Sequence, residues 1–152
     1  MYLKEYLKRF ENQKIKIYVD MDGVIADYEV GIPHDFDKKR PLISNISKLE
    51  DISKMENVEL YILSVTRMNK GYEEKNIWLD KHAPFFKKEN RVILSRESND
   101  FIPSYELKSN FVKEIQRNGS IIIVIDDDPI VLHKIQETCN DIVLLKDTVL
   151  VD

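Results

Sequence analysis

Residues 15–24 read Ile15-Lys16-Ile17-Tyr18-Val19-Asp20-Met21-Asp22-Gly23-Val24. Ile15, Ile17 and Val19 are β-branched, Tyr18 is aromatic, and the run stops on a carboxylate. That is the pattern of a buried strand whose next residue leaves the sheet for solvent. Working outward, similar short apolar runs recur at Leu60-Tyr61-Ile62-Leu63, ending at Ser64, at Arg91 to Leu94, at Ile121 to Ile125 and at Ile142 to Leu145. Helical spacing fills the intervals. Leu49, Ile52 and Met55 predict a helix over about 42–57, and Ile77 and Trp78 one over about 72–82, before Pro84. Leu107, Phe111, Val112 and Ile115 predict one over about 105–117 that Asn118-Gly119 ends, and a further helix is expected over about 129–138. Short, continuously apolar strands alternating with helices imply a parallel sheet covered on both faces, a Rossmann-like three-layer α/β sandwich. Leu3, Tyr6, Leu7 and Phe10 place an amphipathic N-terminal helix within residues 1–13, packed on the rest. Residues 1–152 read as one domain whose core spans about 15–146.

Composition narrows the function classes. The 152 residues are 43% hydrophobic and 33% charged, which suits a folded globular chain and not a disordered one. The formal net charge of −4 disfavours non-specific nucleic-acid binding, where neutralising phosphates supplies most of the affinity. The lone Cys139 excludes an internal disulfide framework and a multi-thiolate zinc site. Met1 to Arg9 lack the pattern of a signal peptide, and no apolar run is long enough to cross a bilayer, so the expected location is cytoplasmic, without a membrane partner. His34, His82 and His133 show no paired zinc spacing and read as surface or satisfied core residues.

In a parallel sheet, ligands bind beyond the carboxyl ends of the strands. Here the first strand delivers Asp20 and Asp22, the second Ser64, and the 121–125 strand Asp126-Asp127-Asp128. So many carboxylates on one sheet edge repel one another, and a divalent cation relieves that cost. An all-oxygen set suits Mg²⁺ better than zinc or copper. A carboxylate beside such an ion can act as nucleophile toward phosphorus, splitting one displacement into two easier ones. A hydroxyl and a lysine are then needed to hold the phosphoryl oxygens, and Ser64 and Lys108 are placed to supply them. Asp128 ahead of Pro129 reads as a helix N-cap with proline at the first helical position.

The order Asp20-Met21-Asp22-Gly23-Val24, Leu63-Ser64, Lys108 and Ile125-Asp126-Asp127 resembles the four motifs of the haloacid dehalogenase (HAD) superfamily, over about residues 15–146. The resemblance implies Asp20 as nucleophile and metal ligand. It implies Asp22 as the acid that protonates the leaving oxygen and then activates water, its backbone carbonyl on the metal. Ser64 and Lys108 would grip the phosphoryl group, with Gly23 on the same phosphate-binding side. Asp126 would complete the metal site, with Asp127 ligating directly or through water. The second aspartate points to a phosphoric monoester hydrolase and away from dehalogenation.

Insert lengths bear on the substrate. Gly23 to Pro41 suffices for a turn and a flap but not for a helical cap, and the stretch from Ser64 to Lys108 is used up by one helix and one strand. The HAD-type core is therefore expected to carry no cap or a minimal one. Its open site would suit a bulky substrate or a lid borrowed from a second copy in a homodimer. Gly71 to Leu79 followed by Arg91 to Arg96 is similar to the 5′(3′)-deoxyribonucleotidase family, which would give Lys75 a phosphate contact and favour a phosphorylated small molecule such as a nucleotide. That family places its phosphate lysine just after the arginine corresponding to Arg96, where Glu97 and Ser98 stand here. The stretch from Arg96 to Lys108 instead resembles the phosphatase half of phage polynucleotide kinase-phosphatases, which act on 3′-phosphorylated nucleic-acid ends. A basic rim of Arg67, Lys70, Lys75 and Arg96 would accept a strand end, with Arg67 as an extra phosphate or base contact. A module that binds metal and phosphate without turnover is the alternative outside enzymes.

Overall fold

The computed structural model describes residues 2–28, 35–67, 69–96 and 102–151; His34, Glu97 and Ser98 lie outside the described residues. Five strands, β1 (Ile15–Val19), β2 (Val58–Thr66), β3 (Arg91–Ser95), β4 (Ile121–Asp126) and β5 (Val143–Lys146), form one sheet in the order β3-β2-β1-β4-β5. Every pairing in it is parallel. Among the described residues five α-helices accompany them: α1 (Tyr2–Leu7), α2 (Ile43–Ser53), α3 (Asn69–His82), α4 (Ser104–Glu114) and α5 (Pro129–Thr138).

Alternation along the central strands sorts the core into two layers. Ile15, Ile17, Val19, Ile123 and Ile125 point to one face and pack with Leu3 and Leu7 of α1, Leu49 and Ile52 of α2, and Trp78 and Leu79 of α3. Tyr18, Ile122 and Val124 point to the other face, against Val112 of α4 and Val131 and Ile135 of α5. The expected three-layer sandwich is what forms, and the N-terminal helix packs on it through two fully buried leucines. Residues 8–10 tighten into a 3₁₀ turn, so the α-helix is shorter than the span 1–13.

From β1 the chain winds outward through β2 to β3, then returns to place β4 on the other side of β1 and winds outward again to β5. The strand order therefore reverses between β1 and β4, and the crevice beyond their carboxyl ends is where such sheets hold ligands. Val19 is paired with Ile125, so Asp20 and Asp126 emerge side by side at that point.

Several boundaries differ from the sequence reading. β2 runs on to Thr66, so Ser64 lies inside the strand, paired with Ile93, and does not close it. α3 begins at Asn69, three residues earlier than the apolar spacing implies. α4 stops at Glu114: Ile115 is extended, and the Arg117 guanidinium folds back to donate to the Val112 carbonyl at 3.0 Å, satisfying a last-turn acceptor. Asn118 and Gly119, both at positive φ, make the turn into β4 and are not the helix end itself. The N-cap reading of Asp128 holds, because its carboxylate accepts the Ile130 amide at 2.9 Å ahead of Pro129.

Candidate active site

Asp20 directly follows β1, and its amide still donates to the Ile125 carbonyl at 3.0 Å, so the residue is fixed by the ladder. Asp126 ends β4. Both are buried, at 8% and 1% exposed. Lys108, one turn into α4, reaches across from the second face and donates to Asp20 Oδ1 at 2.9 Å and to Asp126 Oδ2 at 2.7 Å. Carboxylate oxygens of Asp20, Asp126 and Asp127 all lie within 4.8 Å of one another.

One ammonium cannot neutralise three such carboxylates, and the proton affinities show it. Burial raises the Asp20 carboxyl to about 7; Lys108 pulls it down but Asp126 and Asp22 add to the rise. Asp127 is raised as well, by burial and then by Asp126. For Lys108, burial alone would lower the value, but the Asp20 and Asp126 carboxylates override it and hold the ammonium above its ordinary range. The cluster is short of positive charge and offers only oxygen donors, which is the chemistry Mg²⁺ fits.

Gly23 makes this cluster sterically feasible. Its φ is +79°, and a Cβ there would stand 2.0 Å from Asp127 Oδ2. Gly23 thus stands against the Asp127 carboxylate, its amide donating to the Ala26 carbonyl at 2.8 Å.

Across the cavity, Ser64 is 1% exposed and accepts from Lys75 Nζ at 2.6 Å; the same ammonium donates to the Val65 carbonyl at 2.8 Å. Lys75 is buried, and its proton affinity is lowered by desolvation, with Asp22 and Asp20 opposing. A lysine so placed does not belong to an exposed basic rim. Lys70 is paired with Asp35 and Glu74, and Arg67 is exposed one residue past β2 without lining the cavity. The cavity itself has a volume of about 370 Å³, and Asp20, Asp22, Ser64, Lys108, Asp126 and Asp127 are among the residues that line it. Lys108 faces it, whereas Lys75 supports Ser64 from behind.

Asp22 is held from the flap. Its Oδ1 accepts from Lys39 Nζ, and its Oδ2 lies 3.9 Å from Lys75 Nζ. Lys39 is in turn fixed because Trp78, a fully buried core anchor as its size suggests, donates its indole N–H to the Lys39 carbonyl at 2.9 Å. The buried Glu74 carboxylate accepts the Phe36 amide, and Phe36 packs edge-on to Trp78 at 6.0 Å. Both Lys39 and Lys75 stand over the Phe36 ring, at 4.7 and 5.0 Å from its centroid. Sequence reasoning missed Lys39 and Glu74, since charged residues in a flap or on a helix read as solvated. It also missed Tyr28, which lines the cavity. Trp78 is the one available signal, as a tryptophan needs an acceptor when buried. The remaining histidines take no part: His82 packs on Trp78 and His133 pairs with Glu137.

No family model matches the chain, and neither does any curated protein. Solved structures do. A chain of a Pnkp1/Rnl/Hen1 complex superposes with a TM-score of 0.67 at 17% identity, covering 88% of this chain and 46% of that one. The N-terminal part of BF1531 from Bacteroides fragilis, containing a phosphatase domain complexed with Mg, gives 0.58 at 15% identity, covering 87% and 35%. A class C acid phosphatase from Bacillus anthracis with tungstate bound gives 0.56 at 14%, covering 97% and 73%. The chain therefore shares its fold with these proteins, and it spans less than half the length of the first two.

Proposed function

We propose that this chain is a Mg²⁺-dependent HAD-type phosphomonoester hydrolase acting through an aspartyl-phosphate on Asp20. The observation that carries the reading is the buried Asp20–Lys108–Asp126 bridge at the point where strand order reverses, with the Asp127 carboxylate beside it. The phosphatase domain and the acid phosphatase that share the fold support it.

Asp20, Asp126, Asp127 and the Asp22 backbone would hold the ion, whose charge would offset that of the phosphoryl group and of the nucleophile. Ser64 Oγ and Lys108 Nζ bind phosphoryl oxygens and orient phosphorus toward Asp20. A carboxylate oxygen of Asp20 forms the new P–O bond as the ester P–O bond breaks, and Asp22 passes its proton to the departing alkoxide. In the second half, Asp22 takes a proton from water, which attacks phosphorus, releases inorganic phosphate and restores Asp20. Lys75 keeps the Ser64 hydroxyl oriented from behind. Gly23 contributes by admitting the Asp127 carboxylate to the cluster.

Turnover of p-nitrophenyl phosphate tests this. Activity should vanish with EDTA, return with Mg²⁺ more fully than with Zn²⁺, and be lost in Asp20→Asn with the fold intact. Undiminished activity in Asp20→Asn would remove it as nucleophile, and no turnover by the intact protein with Mg²⁺ would favour a binding module instead.

A second reading within the same chemistry, removal of terminal 3′-phosphates from nucleic acid, rests on the resemblance of the stretch from Arg96 to Lys108 and is in keeping with the fold shared with a chain of an RNA repair complex. The buried Lys75 and the engaged Lys70 leave less of a basic rim for a long strand than the sequence suggests. A screen of nucleotides beside 3′-phosphorylated oligonucleotides separates the two.

A further inference from the structure

Asp22 has two tasks in the proposed reaction: it gives a proton to the leaving oxygen, and later it takes one from water. Two ammonium groups approach its carboxylate. Lys75 Nζ stands 3.9 Å from Oδ2, beyond hydrogen-bonding distance, and spends donors on Ser64 Oγ and the Val65 carbonyl. Lys39 Nζ donates to Oδ1. Of the two, the flap lysine is the one that orients the carboxylate.

Lys39 is held in place from several directions. The residues after it lie against the loop that follows Asp22: the Asp27 amide donates to the Arg40 carbonyl at 2.9 Å, the Leu42 amide to the Ile25 carbonyl at 2.7 Å, and Ala26 bridges to both Asp22 and Pro41. The Lys39 amide donates to the Phe36 carbonyl at 3.0 Å, and its carbonyl accepts the Trp78 indole N–H. Its ammonium stands over the Phe36 ring, and the side chain is only 23% exposed. A solvated surface pair would keep its rotamer freedom and contribute little. This lysine has given that freedom up.

A donor fixed on one carboxylate oxygen decides where a proton sits. An ammonium has hydrogens only to give, so Oδ1 must accept in both halves of the reaction. A proton carried by Asp22 is then on Oδ2. That oxygen is on the side of Lys75, whose ammonium is 2.6 Å from Ser64 Oγ, where the phosphoryl group would be held.

We propose that Lys39 is a positioning residue for proton transfer: by occupying Oδ1 it leaves Oδ2 to carry the proton. That proton passes to the leaving oxygen as the ester P–O bond breaks and the bond from Asp20 to phosphorus forms. The proposal rests on the phosphomonoesterase reading.

The test compares kcat/KM for two esters with the same phosphoryl group, p-nitrophenyl phosphate and phenyl phosphate, both with Mg²⁺. Nitrophenolate departs with little need of a proton, whereas phenolate is more basic and needs one. Lys39→Met keeps the apolar stem over Phe36 but cannot donate. It should lose about tenfold more kcat/KM on phenyl phosphate than on p-nitrophenyl phosphate. Lys39→Arg, which still donates to Oδ1, should hold the wild-type ratio. A purely structural role would lower both esters alike, so an unchanged ratio in Lys39→Met overturns the proposal, whether the rates fall together or not at all. Loss of the ratio in Lys39→Arg as fully as in Lys39→Met overturns it too. Wild-type protein that hydrolyses neither ester would instead remove the hydrolase reading, and this proposal with it.

Discussion

Lys108 and Lys75 are both buried ammonium groups, but they answer to different partners. Lys108 stands between two carboxylates, whereas Lys75 spends its donors on a hydroxyl and a carbonyl. Removing Lys108 leaves Asp20 and Asp126 facing each other without a counter-charge, a change that costs about 3–5 kcal/mol when one partner of a buried pair is deleted. Lys108→Met should therefore lower the melting temperature in EDTA, and added Mg²⁺ should recover part of the loss. Its activity on p-nitrophenyl phosphate should fall by about 10²–10³, the usual cost of one preorganised donor. Lys75→Met should cost less, because Lys75 donates to Ser64 and the Val65 carbonyl and does not itself line the cavity. Melts and assays on the two variants check this, and the reverse ranking would hand the principal phosphate contact to Lys75.

At the scale of elements, the flap and α3 are joined by a few buried contacts. Glu74 takes the Phe36 amide and Trp78 takes the Lys39 carbonyl, so the turn over residues 36–38 is pinned to the helix at two points. A hydrogen bond to a buried carboxylate contributes about 1.5–3 kcal/mol. Glu74→Ala should speed hydrogen exchange at the Phe36 amide and the Trp78 indole by about ten- to a hundredfold. Glu74→Gln, which keeps an acceptor, should stay near the wild type. Exchange measured by NMR decides, and unchanged protection in Glu74→Ala would show that the flap does not need this contact.

These long-range pairings also explain what the sequence conceals. β1 and β4 are legible because nearly every residue in them is buried on one face or the other, leaving an apolar run that only Lys16 interrupts before the closing aspartates. Asp20, Ser64, Lys108 and Asp126 are legible because topology brings strand ends and one helix together. Lys39 and Glu74 are not, since their partners lie 17 and 38 residues away and no local pattern encodes either contact. Ser64 inside β2 reads as a strand end because a polar residue interrupts the apolar run, and only the buried Lys75 makes its burial tolerable. Ile115 continues the apolar stripe of α4 beyond the true helix end, where Arg117 has already turned back.

For the whole molecule, stability should depend on pH through a group remote from the cluster. His82 lies at the end of α3 with its ring 4.9 Å from Trp78, and burial, aided by Lys81, lowers its proton affinity below the ordinary 6.5. The unfolded chain then binds more protons than the folded one in that window. The contribution of His82 is therefore complete above about pH 6.5 and is lost as pH falls through its lower folded value. The raised carboxyls of Asp20 and Asp127 act in the opposite sense, so the His82 share is read as a difference: on acidification below pH 6.5 the urea midpoint of the wild type should fall relative to that of His82→Phe. An identical slope in the variant would place the dependence elsewhere. Among the described residues no helix is long and apolar enough to cross a membrane, and those from 35 to 42 add only one short 3₁₀ turn above the sheet edge.

Lys108, seated between Asp20 and Asp126, has a consequence for how the protein would take up the proposed ion. Many small metal sites exist only once the metal has drawn a loose chain around itself. Here an internal charge keeps the two acids together beforehand, so the scaffold is ready made. Stripping and reloading the protein should then be a quick, reversible exchange that leaves its circular dichroism unaltered.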